Sequence, residues 1–382
     1  MRPEPHALVG DVLLPEGRRR AGVVIRAARI EEAVLDPRDG DLPERRRAVG
    51  GLIAPGFVDL QVNGAFGAEV GADAGALRTI SRELPRTGVT AYLPTAISWP
   101  LEDYAGLFEA IDAAAGAPGA RLLGAHLEGP FLAATRNGAH DPANLRPVDQ
   151  GVLRDLLSAG HVRVMTLAPE LPGAPDAIAA LAAEGAVASA GHTDATHDEV
   201  VRAVDAGLTL GTHLFNAMAP FTAREPGAAG ALLSDRRVRT GIIADGVHVH
   251  PAGVRIAYAA KGADGLALVT DAMQAAGMPD GDYALGGRAV RVAGDEARLA
   301  GGTLAGATVT MDEAVRRAAG FLAIGLEQTV PMASRTPALA LGLDRLGRIA
   351  AGAEADLVVL DADGTVEETL VAGGTVYRRE AT

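Results

Sequence analysis

The middle of this chain alternates, and that alternation limits the folds open to it. Apolar stretches at LIAPGFVDLQ (52–61), GVTAYLPTA (88–96), RLLGAHLEG (121–129), VRVMTLAP (162–169), AVASAGHT (186–193), LTLGTHLFNAM (208–218), RTGIIADGVHV (239–249) and GLALVTDAM (265–273) have the length of buried strands. Ala-rich stretches with helical spacing lie between them, at 101–116, 149–159, 175–185, 196–206 and 251–261. Strands that are apolar throughout are covered on both faces, as in parallel sheets wrapped by helices. Eight of them predict a (β/α)8 TIM-like barrel. A doubly wound sheet shares this periodicity, but no GxGxxG turn follows the first strand to point to a dinucleotide.

The two ends read differently. Short β-branched stretches at 6–14 and 22–30 are mirrored by 355–361 and 369–379, which predicts that the termini meet in one small β-domain. The expected division is a β-sandwich from 1–53 and 331–382 around a barrel of 54–330. An apolar fraction of 48% over 382 residues is enough for a large core plus such an appendage.

Charge and composition exclude several functions. A net charge of −13 is wrong for non-specific nucleic-acid binding, so an anionic ligand has to be met by a local pocket. Cysteine is absent, which removes disulfides, thiol nucleophiles and Cys-based metal sites. The N-terminal MRPEPHALVGDVLLPEGRRR lacks the apolar core of a signal peptide. No run approaches the roughly 18 apolar residues of a membrane span. The expectation is a soluble cytoplasmic protein with neither nucleic-acid nor membrane partners.

In a barrel, catalytic groups stand at the C-terminal ends of the strands. Polar residues recur there: Gln61 and Asn63, His126 and Glu128, His192, His213 and Asn216, Asp245 and His248, and Asp271. One buried histidine at a strand end is usually a hydrogen-bonded core residue, but a rim of them points to a functional cluster. Glu128, His192 and His213 combine imidazoles, a hard carboxylate and room for water, the composition of a catalytic divalent-metal site. The plainer alternative makes Glu128 a cap or ion-pair partner. An apolar strand followed by Gly-Pro is, however, a costly place for an unpaired carboxylate. Asp271 is either a cap or, beside an activated water, the general base. His140, in the loop RNGAH, is within reach of the same rim. Arg224, in APFTAREPG, is a solvated arginine or, beside Asn216 and His248, a bidentate ligand for a dianion. His6, His161, His197 and His250 carry no assigned role.

These residues sit in motifs that resemble a known family. APGFVDLQVNGAFG, HLEGPFL, NGAH, GHTDAT, GTHLFNAM, REPG, DGVH, VTDAM and GTLAGA follow the order and nearly the spacing of the N-acetylglucosamine-6-phosphate deacetylases of the amidohydrolase superfamily. HLEGPF with NGAH, and HLFNAM with REPG, are the specific signatures, while a lone TDA marks only the superfamily. The resemblance covers essentially the whole chain and implies a barrel with a small β-sandwich, in a homodimer. It implies Glu128, His192 and His213 as ligands of one divalent metal per subunit, zinc being the expected ion. Asp271 matches the acid/base and His140 the residue beside the scissile carbonyl. Substrate contacts are implied at Ala139, His140, Asn216, Ala217, Arg224, Asp245, His248, Leu304, Ala305 and Gly306. Arg224 and His248 would meet the phosphate, His248 coming from the partner subunit. Gln61-Val62-Asn63 stands where many superfamily members carry HxH for a second metal. Thr222 and Ala223 replace a common His pair, and Ala307 a common Ser.

The expected reaction is hydrolysis of the N-acetyl group of N-acetylglucosamine 6-phosphate to glucosamine 6-phosphate and acetate. Asp271 takes a proton from the attacking water and returns it to the leaving amine, while His140 helps stabilise the oxyanion. D-aminoacylases and dihydroorotases are the nearest alternative and commonly place a carboxylated lysine between two metals. The only lysine here, Lys261, lies between strands seven and eight, the wrong place for that bridge. A non-catalytic barrel would have lost a ligand or the acid/base, and none is missing.

Overall fold

The computed structural model describes residues 4–380. Strands β1 (His6–Leu14), β2 (Gly17–Arg26) and β3 (Arg29–Leu35) form an antiparallel meander, and β4 (Arg46–Pro55) returns parallel to β1. The barrel follows as β5 (Phe57–Val62), β6 (Val89–Ala96), β7 (Ala125–Glu128), β8 (Val162–Leu167), β9 (Val187–Ala190), β10 (Leu210–Gly211), β11 (Arg239–Ile242) and β12 (Leu266–Leu268). Each pairs in parallel with the next. A bridge between Val62 and Ala272 brings the last strand's continuation back to the first.

After the barrel, β13 (Gly281–Leu285), β14 (Arg288–Ala293) and β15 (Glu296–Leu299) make a separate antiparallel sheet. The chain ends with β16 (Leu357–Leu360), β17 (Val366–Val371) and β18 (Gly374–Arg378). These join the N-terminal strands in one sheet, ordered β18-β17-β16-β4-β1-β2-β3. The two ends meet where Ile53 of β4 lies opposite Val359 of β16, over a core that includes Val12, Val23, Ile25 and Leu357. The expected barrel and the sheet from both termini are both present.

Local sequence explains most helix limits. Asp149 accepts from two backbone N–H groups to start Gln150–Ser158, and Thr196 with Glu199 forms a capping box on His197–Asp205. Tyr104–Ala114, Ala174–Ala183 and Pro251–Gly265 also occupy expected stretches. Helices Ala74–Glu83, Gly227–Ser234 and Met311–Leu322, and the sheet β13–β15, are additions that the strand–helix alternation does not reveal. Leu326–Ala333 and Arg335–Ala340 pack on β5 and β12. Among the described residues no helix is long and apolar enough to cross a membrane.

The stretch 52–61 holds two strands rather than one. The chain turns at Gly56, between the terminal sheet and the barrel, and its N–H donates to Asp356 O at 2.9 Å. A Cβ there would stand 2.3 Å from the Thr90 side chain, so only glycine allows this approach. Strands six and eight are shorter than their apolar stretches because the backbone leaves the ladder before His213 and Asp271.

Arg121 pins the terminal sheet to the barrel. Its Nε and Nη2 donate to the two carboxylate oxygens of Asp356, both at 2.9 Å. Asp356 is 4% exposed, so removing its partner leaves a buried carboxylate unpaired. Arg121→Met is expected to lower stability by about 3 kcal/mol, measured by urea unfolding at neutral pH. A change below about 0.5 kcal/mol would mark the pair as an ordinary surface contact.

Candidate active site

The C-terminal ends of the barrel strands open onto a cavity of about 480 Å³, a size suited to a small organic ligand. Glu128, Ala139, His140, His192, His213, Asn216, Ala217, His248, Asp271, Leu304 and Gly306 line it. His248 therefore lines the cavity of its own chain. Asp245 stands behind it, accepting from His248 Nδ1 at 2.6 Å and from the backbone N–H groups of Val247 and His248 at 2.8 Å. Ala305 is buried, with its N–H donating to Ala297 O. Arg224 is exposed on the loop after β10 together with Thr222 and Ala223, outside the cavity lining. Ala307 is buried where it bridges Ala272. His126 points below the rim, its ring bonded to Leu60 O and Thr166 Oγ1 at 2.9 and 2.7 Å.

The rim residues reach inward through an unusual backbone. His192, His213, Ala217 and Asp271 have φ of 49°, 30°, 49° and 50°. Non-glycine residues in this left-handed region cost about 1–3 kcal/mol each. Here the strained positions are the points where strands end and side chains turn toward the cavity.

Three imidazoles crowd Glu128, and the bonds at their far nitrogens assign different tasks to them. His192 Nδ1 lies 2.8 Å from Arg136 O, a pure acceptor, so Nδ1 carries the proton and Nε2 offers a lone pair. His140 Nδ1 accepts from the Ser98 backbone N–H at 3.0 Å, so its proton sits on Nε2. His140 is thus a donor into the site, 3.5 Å from Glu128 Oε2, although its distance alone also qualifies it as a ligand. His213 Nδ1 has no partner among the described residues, while its Nε2 lies 2.9 Å from Glu128 Oε1 and 3.1 Å from His192 Nε2. His192 Nε2 is 3.3 Å from the same oxygen. Ligands bound about 2.0–2.2 Å from a tetrahedral ion stand about 3.3–3.6 Å apart. The separations of 2.9, 3.1 and 3.3 Å need to open by only a few tenths of an ångström for Glu128, His192 and His213 to hold one divalent ion.

Neutral amides occupy the place of an HxH pair. Gln61 Nε2 donates to Glu128 Oε1 at 2.9 Å, and Asn63 Nδ2 donates to Asp271 Oδ1 at 2.8 Å. Burial alone would raise Glu128, but the surrounding imidazoles of His140, His192 and His213 outweigh it and hold the carboxyl well below the usual range. Burial, and then the charge of Glu128, push Asp271 up to about 6. Burial, and then His192, push His140 down to about 4, so its imidazole is neutral near pH 7. The site thus joins a cation pocket, a carboxylate poised to exchange a proton and a neutral N–H donor.

Several contributors escaped the strand-end argument. Ser98 orients His140, and Arg288 of β14 donates to the carbonyl oxygens of Ala139 and His140 at 2.9 and 3.3 Å. Arg136 and Arg298 line the cavity, paired with Asp194 and Glu296 respectively. The signal for Arg288 lay in YALGGRAVRV, where alternation around Gly-Gly marks a hairpin. For Arg136, one arginine in a loop, the sequence carries no signal.

Comparison with known proteins agrees with this geometry. Residues 52–376 match the Amidohydrolase family. The N-acetylglucosamine-6-phosphate deacetylase of Bos taurus is 41% identical over 91% of this chain and 90% of its own length. An N-acetylgalactosamine-6-phosphate deacetylase of Shewanella is 39% identical over 89% of this chain and 86% of its own. The Mycobacterium smegmatis N-acetyl-D-glucosamine-6-phosphate deacetylase, solved as a mutant with N-acetyl-D-glucosamine-6-phosphate, superposes with a TM-score of 0.91. It is 38% identical, over 98% of this chain and 99% of that one. The chain belongs to the amidohydrolase family and, within it, to the N-acetylglucosamine-6-phosphate deacetylases.

Proposed function

We propose that this chain hydrolyses the N-acetyl group of N-acetylglucosamine 6-phosphate, releasing glucosamine 6-phosphate and acetate. The observation that carries the reading is the placement of Asp271, partly buried and tethered by Asn63, in the same cavity as the Glu128, His192 and His213 triangle. We assign zinc to that triangle, whose two imidazoles, one carboxylate and open side suit it. The bound ion would polarise the acetyl carbonyl and lower the pKa of the attacking water.

The protein's own groups do the rest. Asp271 takes the proton released by the water as its oxygen bonds to the acetyl carbon. His140 Nε2–H donates to the carbonyl oxygen as charge develops there, and the Ser98 N–H keeps that donor aimed inward. Asp271 then gives its proton to the leaving nitrogen as the C–N bond breaks. Asn216, Ala217, Leu304 and Gly306 are placed to pack on the sugar. His248, braced by Asp245, and the two arginines, Arg136 and Arg298, line the cavity and would offer N–H donors to an anionic 6-substituent.

We also propose a homodimer. Phe221 and Ile256 are 56% and 59% exposed, and Phe221 shares its loop with exposed Arg224. Covering these two side chains in a dimer would remove apolar surface from water. We assign Arg224 rather than His248 to the reach across it, since His248 already lines its own chain's cavity. A sugar phosphate dianion does not cross a bilayer unaided, which supports a cytoplasmic place of action.

Gently purified protein should contain close to one zinc per chain by elemental analysis. Two ions per chain, both needed for activity, would contradict the tethering roles given to Gln61 and Asn63. Removing the 6-phosphate from the substrate should lower kcat/KM at least about tenfold, because charge-assisted hydrogen bonds contribute about 1.5–3 kcal/mol each. Equal turnover of N-acetylglucosamine would remove the anion-binding wall from the account.

Asp271→Asn keeps the shape but cannot carry a proton. It should leave folding and metal content unchanged while kcat falls about 10²–10⁴-fold. If Asp271 only capped a turn, Asn would serve equally well and kcat would stay within about tenfold of wild type. As a base, Asp271 must be ionised, so wild-type activity should fall as pH drops through its pKa. Burial and the neighbouring Glu128 push that value up to about 6, and a bound cation would lower it.

A further inference from the structure

Asn63 stands one residue beyond β5, 3% exposed and facing the cavity. Its backbone is held on both sides. The N–H donates to Ala272 O at 2.7 Å, and the carbonyl accepts from the Val70 N–H at 2.9 Å. With the backbone pinned, Nδ2 donates to Asp271 Oδ1 at 2.8 Å. Turning the amide over would set its oxygen against a carboxylate oxygen, so the orientation is determined. Oδ1 then faces away from Asp271 and has no partner among the described residues. A buried acceptor lacking a donor is destabilising, and the fold retains this one beside the proton carrier.

The reaction brings a matching donor to this place. Asp271 must approach the scissile nitrogen to protonate it, and that nitrogen carries one hydrogen from the start. Asn63 and Asp271 line the same cavity, so a scissile nitrogen seated between them would meet Asp271 on one side and Oδ1 on the other. Oδ1 can only accept, and the amide N–H can only donate.

We propose that Asn63 is a catalytic residue that binds the scissile N–H through Oδ1 while Nδ2 holds Asp271, aiming the proton of Asp271 at the nitrogen lone pair. As the C–N bond breaks, its electron pair goes to nitrogen, which takes that proton. The acyl group leaves as acetate bearing the oxygen of water. The inference rests on the deacetylase reading and adds a selectivity to it. An ester oxygen at the same position has no hydrogen and would set a lone pair against Oδ1. The site therefore favours an amide over the more reactive ester.

The test compares N-acetylglucosamine 6-phosphate with 2-O-acetylglucose 6-phosphate, which differ in the single atom at issue. In Asn63→Ala, loss of the Nδ2 tether should slow both reactions, and kcat/KM for the amide should fall at least about tenfold more than that for the ester. Metal content should stay at the wild-type level. Equal losses on both substrates, or no loss on the amide, would overturn the proposal, since a merely structural residue does not distinguish them. If the alanine variant fails to retain its metal, Asn63→Asp decides. It keeps an acceptor and loses the donor, so it should slow both reactions while preserving the wild-type amide-to-ester ratio. A ratio at least about tenfold lower in that variant would count against Oδ1 as the contact. A wild-type protein inactive on both compounds would sink the deacetylase reading and this proposal with it, a result distinct from an unchanged ratio.

Discussion

Glu128 Oε1 and the Nε2 atoms of His192 and His213 lie within 3.3 Å of one another, and this close grouping sets the terms for the surrounding structure. A carboxylate 3% exposed is destabilising unless its charge and lone pairs are matched. The matching groups come from distant parts of the chain. Gln61 donates from the end of β5, Arg136 O holds the His192 tautomer, and Ser98 holds that of His140. Only a ring of parallel strands brings these segments to one rim, which ties the chemistry to the barrel itself. The left-handed backbone at His192, His213 and Asp271 is the local strain that accompanies this convergence.

Asp271 and the Glu128 corner of the triangle face the same cavity, whereas His248, Arg136 and Arg298, each bonded to a carboxylate of its own, line other parts of its wall. Two carboxylates so close repel each other, and that repulsion is one cause of the raised pKa of Asp271. Where a second metal ion would otherwise offset it, Gln61 and Asn63 provide amide donors, one to each carboxylate. That arrangement leaves Asp271 free to exchange a proton rather than bind an ion. The sheet β13–β15 contributes Leu285 and Arg298 to the wall and, through Arg288, steadies the loop that carries His140.

Much of this was legible in the sequence, for physical reasons. Strands buried on both faces are apolar throughout, so a polar residue at the end of such a stretch is conspicuous, and Glu128, His192, His213 and Asp271 could be found that way. The fold followed from the same alternation. What stayed hidden depends on geometry that periodicity does not encode. The break at Gly56 splits one apolar stretch between two sheets because of a close approach to Thr90. Arg224 reads like a site residue from its motif, yet its loop points it to solvent. His140 and His192 look alike in sequence, and only their Nδ1 partners separate a donor from a ligand. Ser98 contributes its backbone N–H to that distinction, a group that every residue except proline possesses.

The central claim is that an ion held by Glu128, His192 and His213 is required to split the acetamide. Its most direct test is acetate release from N-acetylglucosamine 6-phosphate, followed by NMR before chelation, after complete removal of metal, and after one equivalent of zinc is restored. The account predicts acetate and glucosamine 6-phosphate in equal amounts, loss of turnover in the stripped protein, and recovery with the added equivalent. Undiminished turnover by protein shown to contain no metal would contradict it.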